Sequence, residues 1–159
     1  MTNTVALSSS TRAALAAHIA ARPGMETGGI LVGRRVNDLI MITKVSPPGP
    51  KAKHTARTFR RDTAFAQRWL DREYDRADGN VDYLGEWHVH PALNAPPSLV
   101  DRAALWRIAL SPRYRTRRPL LLIVEHAPPA ARRHHAYEFA ADPRRMTELA
   151  VARRQPREV

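Results

Sequence analysis

Gly28-Gly29-Ile30-Leu31-Val32-Gly33 is apolar from end to end and too brief for a helix, so it reads as a buried strand. Asn37-Asp38 then supplies a turn into a second run, Leu39 to Val45, and the two make a hairpin. Val81 to His90 carries strand character and stops at Pro91, which cannot continue a central ladder. Pro119 to Glu125 is the most apolar strand of the chain, with His134 to Phe139 alternating as its partner. Helical spacing fills the gaps. Ser8 to Ser10 offer N-caps for a helix over about residues 9 to 22, ended by Pro23-Gly24. Asp62 caps a second helix to about Arg76, with Phe65, Trp69 and Leu70 on one face. Pro97-Ser98 opens a third to about Leu110, with Leu99, Ala103, Leu105 and Trp106 available for its buried side. The order helix, hairpin, helix, strand, helix, hairpin predicts an α/β fold with a mixed β-sheet covered by helices.

At 159 residues and 43% apolar composition, one domain with a packed core is expected. The boundaries read as 1–141 for the domain and 142–159 for a last short helix, starting near Asp142-Pro143, and a basic tail. No apolar run approaches the ~20 residues that cross a bilayer, and Met1 to Ala20 lacks the basic start, apolar stretch and cleavage site of a signal peptide. The expected location is cytoplasmic, with no membrane partner. Cysteine is absent, so there is no disulfide, no thiol nucleophile and no Cys-x-x-Cys zinc site. Any metal must be held by His and carboxylate. The formal net charge of +11 rests almost wholly on Arg, with Lys only at Lys44, Lys51 and Lys53. Beside abundant Ala, that bias fits a GC-rich coding sequence, and it gives little weight to nucleic acid as a partner.

The chemistry is concentrated in Glu86-Trp87-His88-Val89-His90-Pro91. Residues two apart on a strand share a face, so His88 and His90 project together while Trp87 and Val89 point into the core. Eight residues past His90 comes Ser98-Leu99-Val100-Asp101. Alone this is a capping box, in which Ser and an acid three residues on satisfy the first turn of a helix. It also brings Asp101 to a helix start as a third ligand, and two His plus one carboxylate leave zinc an open fourth position, as a catalytic site requires. Glu26 stands at the mouth of the Gly-Gly strand, where small residues permit close backbone approach, and is the candidate base for a bound water. A loop glutamate by itself is ordinarily just solvated. Glu86 shares the face of the two histidines, where a salt bridge or surface position is a readier explanation than orienting an imidazole, and it stays outside the catalytic set. His134 and His135 point to opposite strand faces at the surface or core edge, and His18, His54 and His126 carry no pattern.

Glu26 with Thr27-Gly28-Gly29-Ile30-Leu31-Val32-Gly33, then His88-Val89-His90-Pro91, then Ser98-Leu99-Val100-Asp101, resembles the complete signature of the JAB/MPN (JAMM) zinc metallopeptidases. The resemblance covers roughly residues 5 to 140 and is most similar to compact prokaryotic members. It implies a mixed sheet sandwiched between helices in a three-layer, cytidine-deaminase-like architecture. It implies one Zn2+ per chain on His88, His90 and Asp101, with Glu26 as general acid/base and Ser98 donating to the oxyanion. The implied substrate is a ubiquitin-like protein or its conjugate, and the implied partners are E1- and E2-like enzymes of a shared gene cluster. Val89 departs from the Ser or Thr that many members place between the histidines, on the face turned away from zinc. No His-Glu-x-x-His helix is present, and the lack of Cys excludes the nucleobase deaminases. Two other readings stand beside this one. A catalytically silent scaffold of the same fold would bind proteins without cleaving them, and the Arg113 to Arg118 cluster with the Arg-rich tail would suit a basic nucleic-acid surface.

Overall fold

A computed structural model describes residues 3–140 and 145–153. In chain order the elements are β1 (Thr4–Leu7), α1 (Ser9–Ala20), β2 (Gly28–Val36), β3 (Leu39–Val45), β4 (Lys53–His54), β5 (Phe59–Arg60), α2 (Thr63–Arg76), β6 (Asp82–His90), α3 (Leu99–Leu110), a 3-10 turn (Pro112–Tyr114), β7 (Leu120–Glu125), β8 (Arg133–Ala140) and β9 (Arg145–Val151). Each helix begins where a side chain satisfies an orphan backbone N–H. Ser8 Oγ accepts from Thr11 at 3.1 Å, Asp62 Oδ1 from Phe65 at 3.0 Å and Ser98 Oγ from Asp101 at 3.1 Å. Among the described residues, no helix is long and apolar enough to cross a membrane.

The large sheet is mixed, in the order β1-β3-β2-β6-β7-β8-β9. β6 lies near its middle, antiparallel to β2 and parallel to β7. Parallel neighbours require a crossover, and α3 supplies it. Trp87 and Val89 of β6 join Leu120, Leu122 and Val124 of β7 in a core that also takes Leu15 and Ile19 from α1. The other face of β7, Leu121 and Ile123, packs with Leu105, Ile108 and Ala109 of α3. The two helices therefore cover opposite faces of the same sheet.

Three expectations are corrected. The expected three-layer sandwich, a mixed sheet between helices, is met only in part: β1 pairs in parallel with β9 through Thr4↔Ala150 and Val5↔Val151, and the strands close into a barrel. β1 is only four residues long, and β9 exposes most of its side chains, so neither announces itself by apolar alternation. Asp142 and Pro143 lie outside the described residues, but the C-terminal helix expected to start there is replaced over Arg145–Val151 by β9. The backbone donors and acceptors on the edge of β8 take it up as a ladder from Ala136↔Leu149 to Ala140↔Arg145, a tertiary contact that overrides local preference. The buried side of α3 is Asp101, Leu105, Ile108 and Ala109, whereas Leu99 is 85% exposed and Trp106 is 39% exposed.

Gly85 shows how tightly β6 sits on its neighbour. Its φ is +148°, and a Cβ there would lie 2.0 Å from the carbonyl oxygen of Leu120. Gly85→Ala combines backbone strain with a clash against main chain that cannot rotate away. It should lower the unfolding free energy by roughly 2–4 kcal/mol, read as a fall in the urea midpoint at unchanged m-value.

Candidate metal centre

The centre is assembled at the C-terminal end of β6, the end where the β6–α3–β7 crossover begins. The pleat turns Trp87 and Val89 into the core, fully buried, and leaves His88 and His90 on the opposite face, as their spacing predicts. β2 runs beside them with Gly28 opposite His88. The Val89 N–H donates to the Thr27 carbonyl at 2.8 Å, which extends the ladder and brings Glu26 level with His90. Glycine is needed for this approach: a Cβ on Gly28 would lie 2.3 Å from the Trp87 carbonyl oxygen and 2.9 Å from the His88 ring.

Asp101 arrives from the other side, on the first turn of α3. The capping box is complete, with Ser98 Oγ accepting from the Asp101 N–H and Asp101 Oδ2 accepting from the Ser98 N–H at 2.7 Å. The Ser98 hydroxyl also donates to Oδ2, at 2.7 Å. The cap and the candidate ligand are thus one side chain. Its Oδ1 is 2.9 Å from His88 Nδ1, and Oδ2 is 3.8 Å from His90 Nε2. His90 Nδ1 lies 3.1 Å from the Ala95 carbonyl, which can only accept, so Nδ1 carries the hydrogen and Nε2 keeps its lone pair for the centre. His88, His90 and Asp101 each offer a donor atom within 4.8 Å of the other two, and the group can hold a metal ion.

The charges agree with that use. Burial alone would raise the Asp101 carboxyl, but hydrogen bonds from His88 and Ser98 and the His88 charge hold it well below the usual range and keep it ionised. Glu26 moves the other way: desolvation raises it, and the neighbouring His90 and His88 only partly oppose this. A carboxyl raised toward neutrality can both take and return a proton.

Several contacts were not legible in the chain. His54 Nδ1 donates to the Glu26 carbonyl at 3.1 Å, and the Glu26 N–H donates to the Thr55 carbonyl at 2.7 Å, so the end of β4 and the residue after it clamp the Glu26 backbone. Phe59 meets the His88 ring edge-on with centroids 5.8 Å apart. Glu86 is buried and forms an ion pair with Arg61, and its second oxygen lies 3.5 Å from His88 Nε2. Arg61 also donates to Tyr114 Oη at 3.3 Å. His54 and Arg61 have no repeat or spacing that could have marked them. Glu86 had one, its place two residues before His88. His134 and His135 are not part of the metal group, and His135 Nδ1 lies 3.1 Å from Glu148.

A mixed sheet thus brings two imidazoles, one carboxylate and a neighbouring glutamate together at a strand end, a set of donors that could hold a metal ion in an α/β protein. The chain belongs to the family of prokaryotic homologs of the JAB domain, which matches it over residues 8–142. A protein named probable metalloprotease y4qB, from Sinorhizobium fredii, is 38% identical over 103 residues, 63% of this chain and 62% of that protein. Proteins named CD-NTase/cGAS isopeptidase are similar too. The one from Escherichia coli is 33% identical over 76 residues, 48% of this chain and 49% of that protein. The one from Enterobacter hormaechei is 30% identical over 125 residues, 76% of this chain and 67% of that protein. The chain thus spans about half to two thirds of the length of these relatives. The solution structure of protein DSY2949 from Desulfitobacterium hafniense superposes with a TM-score of 0.70 at 21% identity, covering 96% of this chain and 95% of that one, and shares the fold.

Because Ser98 caps α3 through Asp101, Ser98→Ala should cost about 1 kcal/mol of stability even in metal-free protein, measured by urea unfolding in the presence of a chelator.

Proposed function

We propose that this chain is a zinc-dependent peptidase or isopeptidase that hydrolyses the amide bond following the C-terminal tail of a ubiquitin-like modifier, in deconjugation or in precursor processing. The observation that carries the reading is the convergence of Glu26, His88, His90 and Asp101 from β2's leading edge, β6 and α3 onto one face. Membership of the JAB family supports hydrolytic chemistry, and the relatives named metalloprotease and isopeptidase support an amide as the bond broken.

The donor set suits zinc, which accepts imidazole nitrogen and carboxylate oxygen in tetrahedral sites and in catalytic ones keeps a position open. His88, His90 and Asp101 would hold it. Zinc bound there would supply Lewis acidity, polarising a carbonyl and acidifying a water. The chain's own residues do the rest. Glu26 removes the proton from the attacking water and delivers it to the leaving amine, for which its raised pKa is suited. Ser98 turns its hydroxyl from Asp101 Oδ2 toward the substrate oxygen as negative charge grows there. Its backbone N–H stays on Oδ2, so Asp101 remains anchored while the hydroxyl is used. No covalent acyl intermediate is required.

The isopeptidases among the relatives carry CD-NTase/cGAS in their names, which supports a conjugated protein as substrate. The scaffold reading keeps one observation in its favour: the Ser98–Asp101 pair is fully accounted for as a helix cap. Linear and isopeptide-linked fusions of modifiers encoded beside the gene separate the two. Wild type should cleave at least one of them and lose the activity to a chelator. Glu26→Gln should keep its zinc while losing turnover, and Ser98→Ala should be slowed by about 10²- to 10³-fold with metal retained. Glu26→Gln cleaving at the wild-type rate would remove Glu26 from the mechanism. Cleavage of neither fusion, with zinc bound, would favour the scaffold.

A further inference from the structure

Glu125 closes β7 as a buried carboxylate, 3% exposed, directly beside His90 in the parallel register of β6 and β7. Its Oε1 accepts from the Ala95 N–H at 2.9 Å, and the neighbouring Asn94 N–H helps to hold the carboxyl below its ordinary range. Asn94 adopts φ +54°, a left-handed conformation that turns successive N–H groups toward one anion. The carbonyl of the same Ala95 accepts from His90 Nδ1 at 3.1 Å. On the other side, the His126 N–H donates to the His90 carbonyl at 3.0 Å. His90 is therefore gripped at its ring through Ala95 and at its backbone through the residue after Glu125.

Ala95 belongs to the loop between Pro91 and Ser98, which joins the two elements carrying the candidate ligands. Holding its middle fixes the His90 ring and also the path of the chain into α3 and Asp101. Burying a carboxylate costs free energy unless it is hydrogen-bonded, and charge-assisted bonds to backbone N–H groups are the strong kind. Glu125 bonds to this loop and otherwise faces His135, with Oε2 3.6 Å from His135 Nε2. A buried charge spent on one irregular loop is explained by what that loop orients.

We propose that Glu125 is a positioning residue for the metal centre, acting through Ala95 to set the His90 ring and the spacing between the histidine pair and Asp101. It rests on the reading of His88, His90 and Asp101 as zinc ligands. The orientation of ligand imidazoles by groups behind them is worth about 10- to 100-fold in metal affinity.

Zinc affinity, measured by competition with a chromophoric chelator, tests it on wild type, Glu125→Gln, Glu125→Met and His88→Ala. Glutamine still offers an oxygen to the Ala95 N–H and should bind zinc close to wild type. Methionine keeps the volume but offers no acceptor, and should bind about 10- to 100-fold more weakly. Wild-type affinity in Glu125→Met would overturn the positioning role while leaving the metal reading intact. Absence of zinc binding by wild type, or unchanged binding in His88→Ala, would overturn the ligand assignment and the positioning role with it. Amide hydrogen exchange of metal-free wild type gives an answer independent of whether the methionine variant folds. The Ala95 N–H should be protected before any zinc is added, and exchange at the rate of an open loop would overturn the proposal.

Discussion

The ladder between β2 and β6 is the contact on which the centre depends. Two glycines bring β2 so close to β6 that a Cβ on Gly28 would strike the Trp87 carbonyl, and one on Gly29 would lie 2.7 Å from the Trp87 indole nitrogen. The antiparallel register then admits one outcome: Gly28 faces His88, the Thr27 carbonyl holds the Val89 N–H, and Glu26 emerges beside His90. A slip by one residue would turn His88 and His90 into the core and Trp87 and Val89 out of it. The fully buried Trp87, whose indole N–H donates to the Ser46 carbonyl at 3.1 Å, locks the register against that slip.

A second constraint acts on the other edge of β6. Its parallel pairing with β7 obliges the chain to cross over, and the crossover helix starts above the strand end that carries the histidines. Asp101 illustrates how little separates a structural from a chemical residue. The same carboxylate closes the capping box of α3 and faces both imidazoles. Hydrogen bonds from His88 and Ser98 hold its carboxyl below the ordinary range. Behind the candidate ligands lies a layer outside the metal group: Glu86 with Arg61, His54 on the Glu26 backbone, and Ala95 on the His90 ring. Their common effect is to leave each functional side chain few alternative positions, which is how a site of this kind avoids reorganising when substrate comes.

Most of the elements, and the gathering of His88, His90 and Asp101 into one group, were legible because the periodicities that reveal them are local. The apolar run after Glu26, the alternation that put Trp87 and Val89 inside, and the caps Ser8, Asp62 and Ser98 need only a few neighbouring residues to be read. Barrel closure was not legible. It depends on a four-residue strand at one end of the chain meeting a largely exposed strand at the other, and on β9 taking up the edge of β8 where a helix was expected. The outward turn of Leu99 and Val100 has the same origin. Once Asp101 must face the histidines, the helix is rotated to bury Asp101, Leu105 and Ile108, and the two residues before Asp101 are left in solvent.

By itself, then, the amino-acid sequence determined which side chains share a strand face, where each helix starts, and that any metal must be held by imidazole and carboxylate for want of cysteine. These follow from backbone geometry and side-chain chemistry over a few residues. Only the tertiary structure decided that Glu26 stands level with His90, that Glu86 is neutralised by Arg61, and that His54 and Glu125 hold the loops on either side. Those relations join residues tens of positions apart, and nothing in the chain specifies them until strand register and crossover bring their backbones together.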